Sequence, residues 1–202
     1  TVVDYGEADK PVGQVRVKLL EDIRGIVSLG NNRMQVELRN INNSKAPMDK
    51  DLEAVVLLPP GVTLHDEVNP TYTRANGKPD ENASFEVMDD DYNGSGRQLV
   101  KVKWADDNRM TKGNKVRAEL DVYIDDHAPS HLLFDVYGFS NNNNLTAPSN
   151  TDGGLTDTVL QTDSENFYGK GEDHPRLKSG NQYALSNKYN IKTEKLIKGP
   201  KD

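Results

Sequence analysis

The stretch from residue 34 to 64 limits this chain to sheet structure more sharply than any other. Met34, Val36 and Leu38 alternate with Gln35, Glu37 and Arg39, the period-2 pattern of a strand with one face buried and one wet. Residues 40–44 (NINNS) form a turn cluster, and residues 52–58 (LEAVVLL) are a short, nearly continuous apolar run suited to a buried strand. Pro59, Pro60 and Gly61 end that run, because proline offers no ladder N–H and fixes its own φ.

The same alternation recurs along the chain. Val15, Val17 and Leu19 share one face of an early strand. Residues 84–88 and 98–104 read as short strands on either side of an Asn-Gly turn. Residues 115–124 (KVRAELDVYI) place Val116, Ala118, Leu120, Val122 and Ile124 on one side, the cleanest strand pattern present. Residues 131–139 (HLLFDVYGF) follow after DDHAPS and are expected to pair antiparallel with residues 115–124. The segment 140–154 is rich in Asn, Ser and Gly and reads as a long exposed loop. Strands are expected to return at 155–160 and 182–188. No stretch offers a capped 3.6-residue apolar stripe. The expected fold is all-β: an antiparallel β-sandwich, Ig-like or jelly-roll-like, with long loops. Residues 1–191 are read as one module and 192–202 (KTEKLIKGPKD) as a linker to a following one.

Composition narrows the role. The 202 residues carry 25 basic and 32 acidic side chains, a net charge of −7. Mixed signs without a basic cluster exclude the counterion-displacing surface a nucleic-acid binder needs. There is no cysteine, which leans away from a disulfide-stapled eukaryotic secreted domain. The longest apolar run, 54–58, is far too short to span a membrane. The first ten residues lack a signal pattern, so any secretion signal or anchor is expected outside this stretch.

Chemistry-bearing patterns are sparse. Asp89, Asp91 and Asn93, followed by Gly94, place oxygen side chains at alternate positions, as in the first half of a calcium loop. The twelfth position is Val100, where a bidentate Glu belongs, and the competing reading is a hairpin turn. Asp163 and Glu165 offer a weaker version, with Phe167 at the third place. His127 and His131 flank Pro129, which breaks any helix that would align them on a zinc ion. Nucleophile-elbow, phosphate-loop and dinucleotide glycine patterns do not occur. Trp104, Tyr92 and Tyr72 fall near turns or strand ends from which they could stack on sugars, but half-buried strand positions account for them better.

Asn40 after one strand, together with Leu58, Pro59, Pro60, Gly61 and Val62 after a later one, resembles the repeated β-sandwich modules of Gram-positive wall-anchored adhesins. Residues 91–100 and 192–202 are similar to further parts of that pattern. Such modules are often shorter than this chain. The resemblance implies a non-enzymatic, extracellular stalk or adhesive domain on the bacterial cell wall, monomeric within a multi-domain chain. Its implied partners are host or bacterial surface proteins or glycans, without nucleic acid and without membrane insertion. It also implies a Lys–Asn or Lys–Asp isopeptide bond, for which Lys18, Lys101, Lys103, Asn40, Asn181, Asn187 and Asn190 are candidates; Lys18 alternates onto the polar face. Two other classes are kept: a calcium-dependent carbohydrate-binding module of a secreted protein, and a hydrolase using carboxylates that sequence alone does not place.

Overall fold

The structure, a computed structural model, describes residues 13–40, 47–140 and 178–185. Among the described residues, eleven strands build two sheets. The first sheet runs β1 (Gly13–Leu19), β3 (Gly30–Asn40), β9 (Lys115–Ile124), then β5 (Val62–Leu64), with β6 (Thr71–Thr73) also paired to β9. The second runs β2 (Ile26–Val27), β11 (Lys178–Leu185), β10 (His131–Phe139), β4 (Glu53–Leu57), β8 (Leu99–Lys103), β7 (Ser84–Asp89). All pairings are antiparallel except the short β2–β11 pair. The β-sandwich expected from the alternating pattern is what forms.

Alternation decides which side chains meet between the sheets. Val15, Val17 and Leu19 of β1, Met34, Val36 and Leu38 of β3, and Val116 to Ile124 at alternate positions of β9 face inward. They meet Ala54, Val56, Val100, Val102, Leu132, Phe134 and Val136 from the second sheet. Trp104 closes the core, fully buried, and its Nε1–H donates to the Arg117 carbonyl at 2.9 Å. Tyr72 is half-buried against this core and Tyr92 against a smaller cluster of Val55, Leu57 and Leu99. Tyr72 lies in β6, Trp104 directly after β8 and Tyr92 in the turn between β7 and β8, each packed against apolar side chains.

One expected pairing is overturned. Residues 115–124 and 131–139 are not hairpin partners: β9 belongs to the first sheet and β10 to the second. Between them the DDHAPS corner carries the chain across the sandwich, with Ala128 fully buried. The apolar faces of both strands then meet across the core, and each finds its ladder elsewhere, β9 with β3 and β10 with β4 and β11. The last strand begins at Lys178, earlier than expected. The very short β2, β5 and β6 carry too few residues to display a period. Residues 155–160, the acidic pair at 163 and 165, and the linker 192–202 lie outside the described residues, as does the candidate module boundary at 191.

The prolines after β4 work as a corner. The Val62 N–H donates to the Pro59 carbonyl at 3.1 Å, and Gly61 adopts φ +80°. A Cβ at Gly61 would sit 2.6 Å from the Ala128 Cα, so the corner is pressed against the β9–β10 crossing and only glycine fits.

Candidate functional site: a groove around Arg33

Sequence reasoning singled out Asp89, Asp91 and Asn93. In the structure they occupy the β7–β8 connection, where Tyr92–Gly94 forms a single 3-10 turn. Asp89 Oδ1 accepts from the Asp91 N–H at 2.8 Å, and Asp91 Oδ1 accepts from the Gly96 N–H at 2.6 Å. Asp90 accepts from Gln98 Nε2 at 3.0 Å. Each carboxylate thus organises the turn, as short polar side chains do in Asx turns. His127 and His131 are both exposed, on the corner and on β10. His127 Nδ1 lies 3.2 Å from Asp126 Oδ1, and Asp125 stands close by. His131 is not part of that group.

Among the isopeptide candidates, Lys18 is exposed, as its alternation indicates. Lys101 lies 4.0 Å from Glu86 and Lys103 3.9 Å from Glu53. Asn40 is fully buried, and its Nδ2 donates to the Met110 carbonyl at 2.9 Å. Asn187 and Asn190 fall outside the described residues.

The feature that sequence reasoning missed lies on the outer face of the first sheet. Strand alternation turns Asn31 and Arg33 of β3 and Asp121 of β9 away from the core, and the connection from β5 to β6 folds over them. Together with Glu21, Asn32, His65, Glu67 and Asn69 they line an open groove of about 360 Å³. Arg33 forms its floor. Its Nη1 donates to the Asn69 carbonyl at 2.8 Å, the Val68 carbonyl at 3.4 Å and Asp121 Oδ1 at 2.9 Å. Its Nη2 donates to Thr71 Oγ1 at 3.0 Å, and Nε lies 3.5 Å from Glu119. A planar fork with five N–H donors suits such a junction better than an ammonium would.

Asn69 completes the loop. It sits at φ +48°, a left-handed conformation that Asn tolerates better than most residues. Its Nδ2 donates to Asp121 Oδ2 at 3.0 Å and to the Glu67 carbonyl at 3.2 Å. That amide, together with the Arg33 guanidinium, holds the Asp121 carboxyl below the usual carboxylate range. On the rim, the Glu67 N–H donates to His65 Nδ1 at 3.0 Å, so the neutral ring carries its proton on Nε2. The His65 ring meets Tyr123 edge to face, centroids 6.3 Å apart, and Tyr123 is 45% exposed. Asn69-Pro70 was legible as a turn; that it bends onto residues 33 and 121 was not.

No family model matches the chain, and no curated protein does. Solved structures do. The collagen-binding domain of a Staphylococcus aureus adhesin is similar at 9% identity and TM-score 0.42, over 73% of this chain and 91% of that one. The full-length major pilin SpaD of Corynebacterium diphtheriae is similar at 12% identity and TM-score 0.45, over 72% of this chain and 33% of the pilin. AvmM, which catalyses macrocyclisation in alchivemycin A biosynthesis, is similar at 11% identity and TM-score 0.40, over 88% of this chain and 89% of that one. An adhesin domain, the kind of protein that the Leu58–Val62 resemblance names, and a pilin are among the structures this chain is similar to.

Proposed function

We propose that this chain is a non-enzymatic, extracellular module of a bacterial cell-surface protein, acting as a spacer or ligand-presenting domain in a multi-domain chain on the cell wall. The observation carrying this reading is where the first and last strands begin and end. Gly13, the start of β1, pairs with Asn40 at one end of β3. Leu185, the end of β11, pairs with Val27, three residues before Gly30 at the other end of β3. Ten residue steps separate Gly30 from Asn40, roughly 33 Å of extended strand. The first described strand therefore begins at one end of the sandwich and the last described strand ends at the opposite end, an arrangement that suits a spacer in a linear fibre.

Tension applied at those two points loads the β1–β3 ladder lengthwise, so its hydrogen bonds resist together. Tension applied at residues 13 and 40 would open the same ladder one bond at a time. Single-molecule pulling through cysteine handles, in a chain with no native cysteine, compares the two. The spacer reading expects a clearly higher unfolding force for handles at 13 and 185; equal forces would count against it.

A second reading, a calcium-dependent carbohydrate-binding module of a secreted protein, draws on the clustering of Asp89, Asp90 and Asp91 at the β7–β8 turn. It requires a rise in melting temperature on adding millimolar calcium and a glycan-array signal that chelation removes.

A further inference from the structure

His65 is the first residue after β5 and is half-buried. The connection it opens is pinned to β9 at two points. The His65 N–H donates to the Asp121 carbonyl at 2.9 Å, and the Val68 carbonyl accepts from the Asp121 N–H at 2.8 Å. Between those points the imidazole itself takes hold of the backbone, its Nδ1 accepting the Glu67 N–H at 3.0 Å. Glu67 passes the hold on. Its carbonyl accepts from Asn69 Nδ2 at 3.2 Å, and that same amide donates to Asp121 Oδ2 at 3.0 Å. The Asn69 carbonyl in turn accepts from Arg33 Nη1 at 2.8 Å. A line of bonds thus runs from one ring nitrogen to the junction of Arg33 and Asp121.

The first link in that line depends on a proton. A neutral imidazole can accept at Nδ1, whereas an imidazolium carries N–H groups at both positions and accepts at neither. With Nδ1 protonated, two donors face each other and the bond to Glu67 is lost. The ring then flips or the peptide turns, and either frees Glu67. Around the ring stand Asp66 and Glu67 on its own connection, Asp121 and the Tyr123 phenol on β9, Glu21 ahead of β2 and Arg33 on β3. Arg33 and Asp121 are already paired at 2.9 Å. A protonated Nδ1 released from the amide can instead donate to the Glu67 carboxylate, a charge-assisted bond that holds the turn in a different shape.

We propose that His65 is a pH-sensitive catch on the β5–β6 connection. Neutral, it holds Glu67 in the turn that seats Asn69 on Asp121; protonated, it releases Glu67 and loosens Asn69. The device works between about pH 5 and 8, where imidazoles ordinarily take up a proton. It is independent of the spacer reading, which needs no titrating group.

The test is NMR of the isotope-labelled whole chain at about pH 5.5 and about pH 7.5, on either side of an ordinary imidazole titration. The Glu67 amide and the Asn69 side-chain amide are expected to move with the midpoint of the His65 ring. Hydrogen exchange at the Glu67 amide, corrected for its intrinsic pH dependence, should be about tenfold faster at the lower pH, the worth of one hydrogen bond. H65N supplies an oxygen acceptor that does not titrate, in a turn that Asn adopts readily, and should abolish the response. H65F keeps a ring against Tyr123 without any acceptor and should show the acid pattern at both pH values. Titration of the ring with no movement at Glu67, or movement at Glu67 that does not reach Asn69, overturns the proposal. So does a response retained in H65N, which assigns it to the neighbouring carboxylates.

Discussion

Asp80 is 4% exposed, yet both oxygens of its carboxyl are engaged. Its Oδ2 accepts from the Ala105 N–H and from Asn108 Nδ2, each at 3.1 Å, and its Oδ1 accepts from the Asn82 N–H at 3.1 Å. Arg74 lies 3.7 Å away. Removing the carboxylate leaves several donors unpaired in a dry setting, so D80A should lower stability by about 3 kcal/mol, read from urea unfolding. The local bond to Asn82 is an ordinary turn contact, and the partners that bury Asp80 lie 25 and 28 residues away, where sequence does not mark them. Tyr72 offers a pH-dependent test. Burial pushes its phenol from 10.0 to about 12. A raised pKa means the folded state holds its proton longer, so stability is complete below about 10 and is lost as pH rises toward about 12. Y72F should flatten that alkaline limb in denaturant melts across this range. Asp121 acts at the acid side with the opposite sign: its depressed pKa gives stability above the ordinary carboxylate range that is lost as pH falls through the folded value. N69A should weaken that acid-side dependence by removing the strongest of its partners.

At the scale of elements, strand positions were legible wherever one face is buried and one is wet. β9 buries Val116, Ala118, Leu120, Val122 and Ile124 and leaves the intervening residues more exposed, as its sequence declares. L120A should cost about 3 kcal/mol by leaving a cavity in that face. The corner after β4 was legible as a stop, but its packing partner was not. G61A should destabilise by about 2 kcal/mol, because the φ of +80° and the 2.6 Å approach to Ala128 both resist a methyl group. A thermal melt would show it. What could not be read was pairing: β9 and β10 are adjacent in sequence and similar in pattern, but alternation is the same whether two strands share a ladder or face each other across a core. The Arg33 groove escaped notice for the same reason. Its members are unremarkable polar residues on wet faces until the β5–β6 connection brings residue 69 to residues 33 and 121.

For the molecule as a whole, seven of the ten connections between successive described strands cross between sheets, and the native pairings join residues far apart in sequence. Such topologies form slowly, since loops must close before long-range ladders can stabilise them. The second sheet adds a further condition. β11, the last strand, does not lie at an edge; it sits between β2 and β10. A nascent polypeptide leaving a ribosome or a translocation channel therefore has a vacant slot in its second layer until residues 178–185 emerge. Synthesis order and architectural order are opposed, which delays completion of the second layer until its last described strand has been delivered.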